Sequence, residues 1–83
     1  MVNREDVQKR VIKVTSQVLK IDPSEIKPES DFVFDLGAES IDTVELVVGF
    51  EREFDIDMDE ETASEVQTVD KAVDYIISYL EKK

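Results

Sequence analysis

The sequence predicts an all-α fold, a bundle of three longer helices and one short helix with a long loop between the first two. Apolar residues recur at helical spacing in several stretches of the chain. Two prolines, Pro23 and Pro28, interrupt the helical pattern between the first and second of these stretches. No segment alternates apolar and polar residues between hairpin turns, so strands are not expected. The length of 83 residues fits one domain, residues 1–83.

The first helix is predicted from about Asn3 to Leu19. Asn3 is a suitable N-cap, and acidic residues follow it in the first turn, where the helix dipole favours them. The helical stripe consists of Val7, Val11, Val14 and Val18.

Residues 20–39 are predicted to form the long loop, with a short turn at 23–26. A loop of this length in a compact domain is expected to be functional or well anchored. Its apolar side chains are expected to fasten it over the helices: Ile21, Ile26, Phe32, Phe34 and Leu36.

Three further helices complete the prediction. The second spans Ser40 to Phe54, a short third spans about Asp59 to Val66, and the fourth begins near Thr68, a good N-cap, and ends near Leu80. The fourth helix has one apolar stripe, formed by Val69, Ala72, Val73, Ile76 and Leu80.

The second helix carries two apolar strips instead of one. The wider strip is an ordinary core stripe: Thr43, Leu46, Val47, Phe50 and Phe54. The narrower strip lies on another face: Ile41, Val44 and Val48. It is either covered by the loop or the third helix, or exposed for a partner with an apolar patch. Gly49, inside this helix, indicates either close helix packing or room for a ligand chain.

Acidic residues dominate the middle of the chain. The net charge is −11, and residues 35–66 account for all of it with twelve acids and one base, Arg52. This excess disfavours nucleic acid and anionic membranes as partners and favours basic protein surfaces. The segment is either a solvated face or a docking surface, and the near absence of bases favours docking.

The composition also excludes several kinds of site. Without Cys and His the chain lacks disulfides, Cys/His zinc sites, cysteine nucleophiles and Ser–His catalysis, so neither catalytic residues nor a metal site are expected. No apolar run is long enough to span a membrane, and the N-terminus is unlike a signal peptide. We therefore expect a cytoplasmic bacterial protein or the mature form of an organellar one.

Ser40 opens the second helix directly after a segment that contains Gly37. Glycine permits a turn that other residues resist, and a helix N-terminus suits an attached phosphate. Taken alone, Ser40 is better explained as a helix N-cap, the commonest role of serine at such a position.

The surrounding string, ESDFVFDLGAESIDTVEL at residues 29–46, resembles the acyl carrier protein family. The resemblance extends through residues 50–54 and 68–76 and covers nearly the whole chain. It departs from the usual Gly-x-Asp-Ser-Leu pattern at Glu39 and Ile41, which keep the charge sign and the apolar character.

The resemblance implies an acyl-carrier-like bundle, a monomer that carries 4'-phosphopantetheine from coenzyme A on Ser40. A phosphopantetheinyl transferase attaches this arm, and Asp35 matches the residue that helps to hold the divalent metal of that complex. The arm carries acyl thioesters between enzymes of fatty acid biosynthesis that have basic docking patches. The implied docking residues are Glu39, Ile41, Val44, Glu45, Val48, Glu51, Glu60 and Glu61. The implied lining of an acyl-chain pocket is Leu46, Val47, Phe50, Phe54, Met58, Val66, Ala72 and Ile76. From the sequence alone, each of these residues is better explained as plain core.

Alternatives remain open from the sequence. A carrier for a polyketide, peptidyl, aminoacyl or other acyl pathway shares these features, although peptidyl carriers usually have Gly-Gly where this chain has Gly37-Ala38. A calcium-binding protein is suggested by residues 55–59, but Glu60 and Val66 stand where an EF-hand loop needs Gly and Glu. An acidic interaction module explains the charge but leaves the string around Ser40 unexplained.

Overall fold

The computed structural model describes residues 2–82 and shows an all-α bundle measuring 32 × 26 × 19 Å. The helices are α1 (Arg4–Leu19), α2 (Ser40–Phe54), α3 (Glu60–Glu65) and α4 (Val69–Lys82), with a 3₁₀ turn at Pro23–Glu25. Within the described residues the only β-type pairing is an isolated bridge between Asp31 and Thr68. The predicted fold class, with three longer helices and one short helix, is confirmed.

Side-chain caps explain where the helices begin. The Asn3 carboxamide oxygen accepts a hydrogen bond from the Asp6 N–H at 3.1 Å, and the Thr68 hydroxyl accepts one from the Lys71 N–H at 3.2 Å. Both caps confirm the sequence prediction. The α1 and α2 helices end at residues in the left-handed conformation, Lys20 (φ 59°) and Asp55 (φ 54°), which stop the helical path.

The core forms where α1 packs against α2 and α4. Gly49 marks the closest approach of α1 and α2. A Cβ atom at this position would lie 2.7 Å from Cγ1 of Val14. Of the two explanations for Gly49, the structure therefore supports close helix packing. The most deeply buried large side chains are Val11, Thr15, Phe50, Val69, Val73 and Ile76.

Backbone hydrogen bonds fasten the long loop to the connection between α3 and α4. The Phe32 N–H donates to the Gln67 carbonyl at 3.0 Å, and the Val69 N–H donates to the Ser30 carbonyl at 3.1 Å. Ile26 and Phe32 are buried. The segment before α2 is thus held against the α3–α4 connection by hydrogen bonds donated from both segments.

Phe34 does not anchor this loop, and that prediction is wrong. Its side chain is 89% exposed. The cause is the tight turn at residues 31–37, in which the Asp35 N–H donates to the Asp31 carbonyl and the Gly37 N–H to the Val33 carbonyl. In such helix-like turns, side chains two residues apart point in nearly opposite directions. Because the Phe32 side chain points into the core, the Phe34 side chain faces solvent.

Candidate functional site

Two carboxylates hold the turn that leads to α2. Oδ1 of Asp31 accepts hydrogen bonds from the Val33 and Phe34 N–H groups, both at 2.9 Å. Oδ2 of Asp35 accepts one from the Asp31 N–H at 2.7 Å. Gly37 (φ 73°) then takes the left-handed conformation that ends the turn. These hydrogen bonds therefore hold the backbone of the turn that precedes α2 in a defined conformation.

Ser40 is the first residue of α2, and its side chain is exposed. The N-cap position belongs to Glu39, whose N–H donates to Oδ2 of Asp42 at 3.0 Å. The interpretation of Ser40 as the N-cap is therefore wrong. Its hydroxyl is presented to solvent at the positive end of the helix dipole, which is a favourable place for a phosphate ester.

The narrow apolar strip of α2 is exposed. The exposed fractions are 65% for Ile41, 62% for Val44 and 38% for Val48. Neither the loop nor α3 covers this strip, which answers the question that the sequence left open. The strip begins one residue after Ser40 and runs along the same helix.

The carboxylates predicted to accompany the strip differ in their surroundings. Glu39, Glu45, Glu60 and Glu61 are exposed. Glu51 is half-buried, and its Oε2 accepts a hydrogen bond from the Met58 N–H at 3.0 Å. One carboxylate oxygen of Glu51 thus holds the connection between α2 and α3, and the role of Glu51 in docking stays a prediction.

A cavity of about 580 Å³ lies between the turn at residues 31–34, α2 and the α3 region. Five of the residues predicted for an acyl-chain pocket line it: Leu46, Val47, Phe50, Met58 and Val66. Leu46, Phe50 and Met58 are buried and form its deeper wall. The volume lies within the roughly 300–1,000 Å³ that is usual for small-molecule sites.

Phe54, Ala72 and Ile76 do not line this cavity, unlike the sequence prediction. All three are buried core residues. The Phe54 ring lies 4.4 Å from the guanidinium carbon of Arg10 on α1. Ala72 and Ile76 belong to α4, which packs against α1.

Sequence reasoning missed part of the cavity wall. The turn contributes Phe32, Val33 and Phe34, α2 contributes Val44 and Val48 in addition to its core stripe, and α3 contributes Ala63. Val44 and Val48 therefore belong both to the exposed strip and to the cavity wall. The unusual run of three apolar residues at 32–34 was the available signal for the first group.

Local hydrogen bonds shape the electrostatics beside the cavity. Oδ1 of Asp59, on the cavity rim, accepts the Thr62 N–H at 2.7 Å, and this bond lowers the pKa of Asp59 below its ordinary value. The Tyr75 hydroxyl donates to the Asp57 carbonyl at 3.0 Å and ties α4 to the same connection. Burial raises the pKa of Tyr75. The rim is therefore anionic at neutral pH.

Residues 2–82 include no helix with the length and apolar character that a membrane span requires. Nor do three acidic side chains converge anywhere among them to form a metal-ligand cluster.

These features define a class of protein: a small helical bundle with an exposed serine at the start of a helix that also lines an apolar cavity. The model of one family, described as the phosphopantetheine attachment site, matches residues 9–76. The chain belongs to this family. Its members carry covalently attached 4'-phosphopantetheine and are non-catalytic carriers in acyl or peptidyl pathways, where they interact with the pathway enzymes.

The residues around Ser40 fit such a group. The hydroxyl is accessible and is not used as the N-cap of α2, and the backbone before it is held by the Asp31 and Asp35 carboxylates. The start of α2 offers N–H groups and a positive dipole end toward a phosphodiester.

Proposed function

We propose that Ser40 bears the 4'-phosphopantetheine arm and that the protein is a discrete acyl carrier of fatty acid biosynthesis. The observation that carries this proposal is the exposed Ser40 hydroxyl at the start of α2, on the helix that also lines the apolar cavity. When attached, the arm supplies the terminal thiol that holds acyl groups as thioesters. The chain itself contains no Cys and no His.

Positioning is the contribution of the chain around Ser40. The turn at residues 31–37 holds the backbone before α2, and Gly37 directs it into the helix. The serine hydroxyl is proposed to lose its proton to a base of the modifying enzyme. Asp35, with Oδ2 bonded to the Asp31 N–H, is proposed to help hold the divalent metal of that complex.

Partner enzymes are proposed to dock on the exposed face of α2. Ile41, Val44 and Val48 provide the apolar contact, and the exposed carboxylates Glu45 and Glu60 lie on the same acidic segment of the chain. A complementary surface has an apolar patch surrounded by Arg and Lys. Opposite charges raise the association rate more than the final affinity.

The high net negative charge of −11 and the presence of Ala38 instead of a second Gly support the fatty acid pathway over a peptidyl one. The test is reconstitution with purified enzymes of bacterial fatty acid synthesis. The loaded protein should accept malonyl groups and support chain elongation. Charging without elongation, together with activity in a polyketide or aminoacyl system, would contradict the assignment to this pathway.

Docking is tested with a charge-reversal pair. Glu45→Lys should slow acyl transfer by partner enzymes, with most of the loss at low ionic strength, where charge interactions are least screened. Glu81→Lys is the matched control, because Glu81 is also exposed but lies in the last turns of α4. Equal losses in both variants would show that total charge matters and the α2 surface does not.

A further inference from the structure

Phe34 combines two properties that rarely occur together. It is 89% exposed, the highest value among the exposed large hydrophobic residues of the described chain, and it also lines the cavity. Phe34 therefore lies at the mouth of the cavity, where the cavity opens to solvent. Phe32, two positions earlier, is 4% exposed and lines the cavity from inside. The turn therefore supplies one aromatic ring to the wall of the cavity and one to its entrance.

The backbone at Phe34 is held while its side chain is not packed. The Phe34 N–H donates to Oδ1 of Asp31 at 2.9 Å, and the Gly37 N–H closes the turn on the Val33 carbonyl at 3.1 Å. Movement of the ring therefore needs only rotation of the side-chain torsions. Exposed side chains make such rotations within picoseconds to nanoseconds, without any change in the loop.

The other side of the mouth is apolar and also partly exposed. Val44 and Val48 of α2 line the cavity with exposed fractions of 62% and 38%. A ring turned inward would meet these valines and remove its own surface from water. A large aromatic side chain gains stability from such burial, provided that the space beneath it is filled.

We propose that Phe34 covers the cavity, its ring folding over an apolar chain held inside and limiting the access of water and nucleophiles to the thioester of that chain. The occupant is the acyl chain borne by this protein, so the idea rests on the proposed function. It assigns to Phe34 a role in deciding which chains are shielded. The competing role, contact with a partner enzyme, is separated from it by the experiment below.

The experiment compares the wild type, Phe34→Ala and Phe34→Leu, each loaded with octanoyl or acetyl thioester. Leu80→Ala is the matched control, since Leu80 is a partly exposed apolar residue of α4 that does not line the cavity. A mass spectrum of each sample measures loading before hydroxylamine cleavage is timed, so failure of the attachment itself is seen separately. The ring signals of Phe34 are followed by NMR in parallel.

Phe34→Ala should accelerate cleavage of the octanoyl thioester by about threefold to tenfold, the size expected for one lost aromatic contact. The acetyl thioester should be unaffected, Phe34→Leu should be intermediate, and Leu80→Ala should match the wild type. The Phe34 ring signals should shift with octanoyl and not with acetyl.

A second measurement, in which hexane replaces the acyl chain, does not need the phosphopantetheine arm and tests the proposal even if loading fails. Unmodified Ser40→Ala protein in hexane-saturated buffer should show the same Phe34 ring shift. Unchanged ring signals with both octanoyl and hexane would overturn the proposal. Equal octanoyl cleavage rates in the wild type and Phe34→Ala would also overturn it. If Phe34→Ala then slowed acyl transfer by partner enzymes, Phe34 would be a docking residue instead.

Discussion

Replacing Gly49 by alanine tests the packing that places α2 on the bundle. In an unhindered helix the change stabilises the protein by about 1 kcal/mol, because glycine is the poorer helix former. Here the added Cβ would lie 2.7 Å from Cγ1 of Val14 and 3.8 Å from Cγ2 of Val18. The nearer distance is shorter than any ordinary carbon contact. Since Val14 is β-branched and lies within a helix, its χ1 torsion cannot easily yield.

Overpacking of this kind costs about 1–3 kcal/mol, which exceeds the gain in helix propensity. Gly49→Ala should therefore lower the free energy of unfolding by about 1 kcal/mol, measured by urea denaturation with circular dichroism. In a Val14→Ala background the obstructing methyl group is absent, and the same change should stabilise by about 1 kcal/mol.

The sign reversal corresponds to a coupling of about 2 kcal/mol between the two positions, a size expected only for residues in contact. Stabilisation by Gly49→Ala in the wild-type background would refute the close approach of α1 and α2. Equal destabilisation in both backgrounds would refute the role of Val14.

Three further predictions concern charge, pH and cargo. NaCl should stabilise the protein by about 1 kcal/mol, raising the Tm by roughly 4–8 °C, because it screens self-repulsion. The double variant Glu60→Gln/Glu61→Gln should gain less stability from NaCl than the wild type. A wild-type Tm that does not rise with NaCl would contradict the self-repulsion. The hydrogen bond from Arg10 at 2.8 Å lowers the pKa of Glu53 below its ordinary 4.5. The contribution of ionised Glu53 to the free energy of unfolding is therefore complete above pH 4.5 and is lost as the pH falls through the lowered pKa of the folded state. Urea unfolding should therefore show Glu53→Gln less stable than the wild type by about 1 kcal/mol at pH 7, with the difference disappearing at low pH; a constant difference from pH 7 to pH 2 would contradict the ion pair. Octanoyl-protein should unfold at a higher temperature than acetyl-protein, with an upper limit of about 0.8 kcal/mol per buried methylene, and equal Tm values would show that the cavity stays unfilled.

Local signals in the sequence were sufficient to predict the helices. The boundaries of α2 agree at both ends, Ser40 and Phe54, and α1 and α4 begin after the predicted caps Asn3 and Thr68. These features depend on residues a few positions apart, which the sequence displays directly. The N-cap was misassigned by one residue, because Glu39 and Asp42 together do what a single serine usually does.

The cavity could be predicted only in part, because distant segments meet in it. The Phe32–Gln67 and Ser30–Val69 hydrogen bonds bring the turn beside the α3 region, and no local pattern encodes them. The outward direction of Phe34 follows from the geometry of this turn and not from its apolar character.

Glu51 illustrates the same limit for charged residues. In the sequence it is one acid among twelve in residues 35–66 and was assigned to docking with its neighbours. In the structure its carboxylate accepts the Met58 N–H and supports the cavity wall. The sequence does not display the hydrogen bond to the Met58 N–H, because Met58 lies seven residues further along the chain, beyond the end of α2.

Mass spectrometry of the intact protein shows whether Ser40 bears the arm. The protein is incubated with coenzyme A, Mg²⁺ and a phosphopantetheinyl transferase, and the mass of the intact chain is then measured. We expect a single added phosphopantetheine in the wild type and in Ser78→Ala, a control with another exposed serine removed, and none in Ser40→Ala. An addition that persists in Ser40→Ala, or no addition to the wild type with several transferases, would contradict the account.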